Sequence, residues 1–243
     1  MVSSHGVRSI VPIDLTRYPI FANGYTLALL NNQGYCNDNY IAKIKDQSYL
    51  VRHLKMQGID RVFEFKVQQR AYLKGIAPKP LILDLKQNIM VTSYSQGEHL
   101  FFVTKKELRK LALTIRKLHK IKVRKKPHNH KKDFKPKHKK ANEILLELRK
   151  YKKEFVLTHH DLNPRNIFFG GKITVVDWEF AGLNDRYFDL ATICVEFKLS
   201  KEMQRYFLRQ YFDSMQKPCY QKLELYKELY QELYRIWMRE NIL

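Results

Sequence analysis

The sequence predicts an α+β, two-lobed fold, with a small β-rich N-lobe over residues 1–95 and a larger, mainly helical C-lobe over residues 96–243. Three observations support this prediction. Short strand-like segments fill most of the first third, a polar stretch at 93–97 has the composition of a hinge, and helical periodicity dominates afterwards. With 243 residues, 44% of them hydrophobic, the chain is long enough for two lobes that share one cleft.

The N-lobe is predicted to be a sheet with one helix. Strands rich in aliphatic, aromatic and β-branched residues are expected at 25–30, 40–44, 48–52, 81–84 and 89–92. Apolar positions between 61 and 74 suit a helix, which Gly75 and Pro78 end. Residues 31–39, between the first two strands, are dense in turn formers and predict a loop.

The C-lobe begins with a helix whose start has a clear signature. Thr104 is a good N-cap, and Glu107, three residues later, completes a capping box ahead of an apolar pattern that runs to Leu118. A buried-strand pattern at 155–158 and a strongly helical stretch at 222–240 follow.

The charge is strongly basic, with 45 Lys and Arg against 24 Asp and Glu and a net charge of +21. This balance favours anionic partners such as nucleotides, nucleic acid or acidic membrane surfaces. Residues 120–140 concentrate it, with eleven Lys or Arg, three His and one acid. We interpret this basic tract as a solvated, mobile loop; the alternative is a docking site for peripheral contact with anionic surfaces.

Several classes of protein are excluded. The sequence contains no apolar run near the ~20 residues of a transmembrane helix, and the apolar piece at 10–13 is too short for the core of a signal peptide. The three cysteines form no CxxC pair, so neither a disulfide framework nor a zinc site is supported. We therefore expect a cytoplasmic protein.

The residues that carry chemistry follow the strand at 155–158. A polar loop from His159 to Asn166 leads through a hairpin with a Gly-Gly turn to Asp177. This layout places Asp161, Asn166 and Asp177 at adjacent strand ends that face one cleft. Phosphoryl transfer needs such groups, because one carboxylate orients the attacking hydroxyl while an amide and a second carboxylate hold Mg²⁺ against the phosphates.

Two strings here resemble a known family. HHDLNPRN, at 159–166, is similar to the HxDxxxxN catalytic loop of the choline/ethanolamine kinase family within the aminoglycoside phosphotransferase superfamily, relatives of the protein kinases. DWEFAGLNDRYFDLATICVEF, at 177–197, is similar to the choline-kinase pattern that follows the metal-binding carboxylate. The resemblance implies a protein-kinase-like fold, ATP and Mg²⁺ as cofactors, Asp161 as catalytic base, and Asn166 and Asp177 as metal ligands.

The resemblance also implies a nucleotide-binding side of the cleft. Gly34 and Asn37 belong to the loop that, in the family, covers the nucleotide phosphates with backbone N–H groups. Arg52 takes the place of the phosphate-binding lysine, and its forked guanidinium can bind two phosphate oxygens. Glu64, on the following helix, is the expected ion-pair partner of Arg52. Asp189 is expected to accept hydrogen bonds from the backbone of the catalytic loop.

On the substrate-binding side, the resemblance implies roles for Glu179, Glu196 and Trp237. An aromatic stripe with helical spacing leads to Trp237 and comprises Tyr226, Tyr230 and Tyr234. Such a stripe usually packs in a core, while the alternative is the wall of an aromatic box for an ammonium group, where cation–π contact contributes roughly 0.5–2 kcal/mol.

The leading hypothesis is therefore an ATP-dependent phosphotransferase that acts on the hydroxyl of a small amino alcohol, with choline or ethanolamine preferred. A kinase of an aminoglycoside, thiamine or another hydroxylated amine is an alternative. A polycationic aminoglycoside fits a chain of charge +21 less well. The third hypothesis is a non-catalytic basic module that binds nucleic acid or membrane through residues 120–140.

Overall fold

An antiparallel sheet of five strands builds the N-lobe in the computed structural model, which describes residues 13–31, 37–212 and 217–241. The strand order is β1-β2-β3-β5-β4. The strands are β1 (Thr26–Leu29), β2 (Asn37–Ile44), β3 (Gln47–Leu54), β4 (Pro80–Asp84) and β5 (Ile89–Ser93). Helix α1 (Arg61–Leu73) connects β3 to β4, and the predicted strands and helix are thus all present.

Alternation along β3 directs its side chains to two different environments. Tyr49 and Val51 are buried in the small N-lobe core, which also contains Phe21 and Tyr40. Because successive side chains of a strand point to opposite faces, Arg52 lies on the other face, where it meets α1. One strand thus anchors the lobe and also delivers a buried cation to the cleft.

The C-lobe is mainly helical, as predicted. Its helices are α2 (Lys105–His119), α3 (Lys139–Glu147), α4 (Tyr187–Glu196), α5 (Lys201–Tyr211) and α6 (Tyr220–Asn241). Two short antiparallel ribbons carry the loops of the cleft; they pair β6 (Phe155–Thr158) with β9 (Gly182–Asp185), and β7 (Ile167–Phe168) with β8 (Thr174–Val175). The capping box predicted at Thr104 and Glu107 is present.

The basic tract is mostly exposed to solvent, as its composition predicts, but two of its apolar residues are buried. Ile121 and Phe134 are buried in the large C-lobe core, and the backbone N–H of His128 donates to the carbonyl of Leu183 at 2.7 Å. The tract also contains a 3₁₀ turn, and α3 begins at Lys139 inside it. These two apolar residues, which the dense charge around them did not indicate, hold the tract against the C-lobe; its mobility stays a prediction.

Backbone hydrogen bonds anchor the end of the hinge to the C-lobe. The N–H of Glu98 donates to the carbonyl of Phe169 at 2.9 Å, and the N–H of Phe169 returns a bond to Glu98 at 2.8 Å. Gly97 allows this approach, because its φ is +143° and an added Cβ would lie 2.7 Å from the Phe169 oxygen. In the part of the chain that the structure describes, no helix is both long and apolar enough to cross a membrane.

We predict that Gly97→Ala destabilises the protein by about 1–3 kcal/mol, since it adds a strained φ and a backbone clash. Urea unfolding measures the loss. Gly171→Ala is the matched control, because nothing lies within 4 Å of the Cβ it would add. Equal stabilities of the two variants would contradict the close approach seen at the hinge.

Candidate active site

The catalytic loop follows β6 and presents Asp161 between two amides. The Asn163 Nδ2 donates to Asp161 Oδ1 at 2.8 Å, and the Asn166 Nδ2 donates to Asp161 Oδ2 at 2.7 Å. Both oxygens of the carboxylate are therefore held, and the side chain has a fixed orientation. The loop can turn here because His160 adopts a left-handed φ of +71°, which His, Asn and Asp tolerate better than most residues.

A second loop, after β8, presents Asp177 next to the first. The Val176 N–H donates to the carbonyl of Asn166 at 3.0 Å, which ties the two loops together. Asp177 also has a left-handed φ, of +63°, so its side chain leaves the direction of the strand. Trp178 is fully buried directly behind it and donates through Nε1 to the Val175 carbonyl at 3.0 Å. The buried indole thus anchors the backbone that carries Asp177.

Asp189, fully buried at the start of α4, holds the catalytic loop in place. Its carboxylate accepts the backbone N–H groups of His159 at 2.8 Å and of His160 at 3.0 Å, as the sequence analysis expects. His119 of α2 approaches the same carboxylate with Nε2 at 3.0 Å, and Tyr211 lies 2.6 Å from its other ring nitrogen. Burial alone would raise the pKa of Asp189, but these hydrogen bonds and charges lower it.

Arg52 lies between the lobes, with its guanidinium divided among three carboxylates. The expected ion pair with Glu64 is present, with Nη1 2.5 Å from Oε1. The Nη2 group reaches Asp177 at 2.9 Å and Glu179 at 3.2 Å. Burial by itself would lower the pKa of Arg52, but the three carboxylates outweigh it and raise the pKa above its usual value. The guanidinium therefore stays charged.

Glu179 and Asn37 occupy places that the sequence analysis did not predict. The Glu179 side chain is only 2% exposed and contacts Arg52 and Arg61, so its assignment to substrate binding is corrected: it is part of a buried ion cluster. Asn37 begins β2, and its side chain bonds to both Glu179 and Arg61 instead of lying in an open phosphate loop. Gly34 lies outside the described residues.

The cluster retains an excess of negative charge where a cation would bind. Desolvation raises the pKa of Asp177 to about 7, and the carboxylates of Glu179 and Asp161 add to this against the opposing charge of Arg52. The Asp177 side chain is still 37% exposed towards the cleft. Asn166 uses its amide nitrogen on Asp161, which leaves the amide oxygen as the end suited to a metal. Carboxylate and amide oxygens are the ligands that Mg²⁺ prefers.

The residues predicted for the substrate side are only partly brought together. Tyr230 of α6 donates its hydroxyl to Glu196 of α4 at 2.7 Å, and its ring meets Phe188 edge-on at 6.1 Å. Trp237 lies seven residues further along α6, half-buried and on the same helical face as Tyr230. Of the predicted stripe, Tyr226 is core and Tyr230 is nearly so, while Tyr234 is exposed. The stripe thus runs from core to surface.

The basic tract contributes a second polar cluster beside the catalytic loop. The ring nitrogens of His128 and His130 lie 2.7 and 3.0 Å from the same Asp133 oxygen. The Asn184 amide nitrogen lies 2.9 Å from His130 Nε2 and 2.8 Å from His160 Nε2, so both imidazoles accept there and carry their proton on Nδ1. With Nδ1 of His130 protonated and donating to Asp133, this arrangement suits a hydrogen-bond network better than a metal site.

Comparison with known proteins agrees with this geometry. Residues 132–226 match the model of the phosphotransferase enzyme family. The chain is 23% identical over 237 residues to the protein LicA of Haemophilus influenzae, covering 84% of this chain and 68% of that protein. The predicted family resemblance and the predicted phosphotransferase class are thereby confirmed.

Solved structures confirm the kinase-like fold. The choline kinase LicA from Streptococcus pneumoniae superimposes with a TM-score of 0.77 at 20% identity, covering 90% of this chain and 87% of that one. The Plasmodium vivax ethanolamine kinase gives 0.74 at 17% identity, with 90% and 76% covered. A spectinomycin phosphotransferase in complex with ADP and its antibiotic gives 0.65 at 16% identity, with 87% and 82% covered.

We predict that Asp189→Asn lowers the free energy of unfolding by about 2–4 kcal/mol, because an amide cannot satisfy the buried donors that the carboxylate accepts. The folded-state pKa of Asp189 lies below its unfolded value of about 4, so its contribution is complete above pH 4 and is lost as the pH falls through the folded-state pKa.

The measurement is urea unfolding of the wild type and the variant at neutral pH and at successively lower pH. The exposed Asp46→Asn serves as control. The difference between wild type and Asp189→Asn should shrink on acidification; a difference that grows would contradict the assignment.

Proposed function

We propose that this chain, a small-molecule kinase of the phosphotransferase enzyme family, transfers the γ-phosphoryl group of ATP to the hydroxyl of a small amino alcohol, choline or ethanolamine. The observation that carries the proposal is the fixed orientation of Asp161, held by two amides 2.8 and 2.7 Å away, beside Asn166 and Asp177. A carboxylate so held is suited to orient a hydroxyl and accept its proton.

Asp161 and Arg52 are the side chains proposed to take part in the phosphoryl transfer. Asp161 accepts the proton as the acceptor oxygen bonds to the γ-phosphorus, and the bond between that phosphorus and the β–γ bridging oxygen breaks to release ADP. Arg52, charged and confined between the lobes, neutralises phosphate oxygens at the mouth of the cluster. The need for ATP fits the cytoplasmic location that the sequence analysis expects.

Asn166 and Asp177 are the residues proposed to hold Mg²⁺. When bound, the ion would neutralise the phosphates and the excess negative charge of the cluster. The raised pKa of Asp177, about 7, is consistent with this assignment: desolvation is its main cause, and the carboxylates of Glu179 and Asp161 add to it. The three carboxylates of the cluster also outnumber its two guanidinium groups.

The acceptor is assigned from the C-lobe side of the cleft. The Glu196 carboxylate accepts a hydrogen bond from the Tyr230 hydroxyl. A carboxylate next to an aromatic ring is suited to bind an ammonium group, by charge and by cation–π contact. Trp237 is proposed to extend that aromatic wall along α6. Two structural neighbours are a choline kinase and an ethanolamine kinase, which supports this substrate class. An aminoglycoside remains the second candidate because a spectinomycin phosphotransferase shares the fold.

A non-catalytic basic module fits the structure less well. Such a module would not need a buried cluster of two arginines and three carboxylates, which is costly to assemble. Phe134 also holds part of the basic tract against the C-lobe core, which reduces the surface that it can offer to nucleic acid.

Asp161→Asn should lower phosphate transfer by at least about a hundredfold, because the amide cannot accept the proton, while ADP binding stays within a few-fold of wild type. Coupled ADP release with choline and with ethanolamine measures turnover, and fluorescence titration with a labelled ADP measures binding. Asp46→Asn, exposed in a β-turn away from the cleft, is the control. Near-wild-type turnover in Asp161→Asn would overturn the role given to this carboxylate.

Glu196→Gln should raise the KM for the amino alcohol by about tenfold and leave the KM for ATP unchanged, because one charge-assisted contact to the ammonium is lost. Glu202→Gln, exposed on α5, is the matched control. Screening thiamine and an aminoglycoside in the same assay decides the acceptor: a kcat/KM higher for either than for both amino alcohols would contradict the proposed substrate.

A further inference from the structure

Arg61, the first residue of α1, occupies a place that the proposed chemistry does not use. Its side chain is 7% exposed, and its guanidinium bridges three separate segments. Nη1 lies 2.7 Å from Glu64 Oε2 on the same helix and 3.0 Å from Glu179 Oε2. Glu179 belongs to the loop after β8 that carries Asp177, named the metal loop for its proposed role. Nη2 donates to Asn37 Oδ1 at the start of β2, at 3.2 Å. One side chain therefore joins a strand and a helix of the N-lobe to the C-lobe.

The two arginines of the cluster share Glu64 by taking one oxygen each. Arg52 uses Oε1 and Arg61 uses Oε2. Because Arg61 also satisfies Glu179, the Nη2 group of Arg52 remains oriented towards Asp177, 2.9 Å away. Without Arg61, a single guanidinium would have to serve all three carboxylates.

The two arginines have to neutralise carboxylates that are buried. The Glu64 and Glu179 side chains are 0% and 2% exposed, so water cannot solvate either charge. A buried carboxylate without a partner is strongly unfavourable. Removing Arg61 would therefore draw Arg52 towards Glu64 and Glu179, the more deeply buried pair, and away from Asp177, which is 37% exposed. The consequence would appear at the metal loop.

The Nε group of Arg61 indicates that the side chain is held by its terminal nitrogens. Its buried Nε has no hydrogen-bond partner in the described ranges of the chain. A buried donor left unsatisfied is costly, and the guanidinium keeps that position while both of its terminal nitrogens bridge other segments. The ion pairs with Glu64 and Glu179 and the hydrogen bond to Asn37 therefore determine the position of the guanidinium.

We propose that Arg61 is a positioning residue for the phosphotransfer site. It holds Glu64 and Glu179 so that Arg52 stays directed at Asp177, and it thereby sets the affinity of the site for the magnesium–nucleotide complex. Arg61 itself touches neither the nucleotide nor the acceptor. The inference rests on the proposed function only in taking Asp177 as the place where the magnesium–nucleotide complex binds.

The experiment measures ADP binding by fluorescence titration across a range of Mg²⁺ concentrations, on the full chain. Arg61→Gln should weaken binding of Mg·ADP by about tenfold and raise the Mg²⁺ concentration needed for half-maximal binding. Arg61→Lys keeps the charge but lacks the fork that reaches three partners, so it should lie between wild type and Arg61→Gln. Arg70→Gln, the same substitution at an exposed position of α1, should match wild type.

The coupling to Glu179 gives a second readout that a general loss of stability would not produce. Once Arg61 is gone, Glu179 competes with Asp177 for Arg52, so Arg61→Gln combined with Glu179→Gln should bind Mg·ADP at least as well as Arg61→Gln alone. Additive losses in the double variant would contradict the proposal.

The outcomes separate this inference from the proposed function. If Arg61→Gln does not fold, Arg61→Lys decides: the inference is overturned if its Mg²⁺ dependence equals that of Arg70→Gln. It is equally overturned if a folded Arg61→Gln binds Mg·ADP as Arg70→Gln does. A wild-type protein that binds Mg·ADP but phosphorylates no amino alcohol would refute the proposed acceptor alone, and the comparison of Arg61 variants would remain decisive.

Discussion

The ion pairs of Arg52 are the interaction on which the rest of the site depends. Its guanidinium joins Glu64, on the N-lobe helix, to Asp177, on the C-lobe metal loop, so the two lobes share one charge network across the cleft. The network is buried on the side of Glu64 and Glu179 and opens to solvent only at Asp177. Asp177 is therefore the member of the network that a ligand entering the cleft could contact, which is why we propose it as a metal ligand.

Two residues of the candidate site have backbone conformations that most residues avoid. His160 and Asp177 both adopt left-handed φ values, and neighbouring structure must stabilise each of them. For His160 that structure is Asp189, whose carboxylate accepts its N–H, and for Asp177 it is Trp178 and the bond between Val176 and Asn166. Both left-handed residues thus lie in the two loops that carry Asp161 and Asp177, and buried contacts hold each of them.

How much of the fold and the site could be predicted depended on whether a residue's contacts are made by residues close to it in the sequence. The proximity of Asp161, Asn166 and Asp177 follows from fixed spacing around one hairpin, and the structure brings the three together. Their roles stay predictions. Arg61 gave no such signal, because an arginine at a helix start resembles any surface residue until β2 and the metal loop are brought against it. Phe134 was missed for the opposite reason: the dense charge around one aromatic residue indicated a solvated loop, although that residue is buried.

The central claim, a divalent cation held with nucleotide at Asp177 beside a separate base at Asp161, is tested most directly by electron paramagnetic resonance of Mn²⁺ titrated into protein with ADP. We expect one tightly bound Mn²⁺ that requires ADP, that is lost in Asp177→Asn and that is retained in Asp161→Asn. Retention of the tight Mn²⁺ in Asp177→Asn would contradict it, since the metal would then be bound elsewhere.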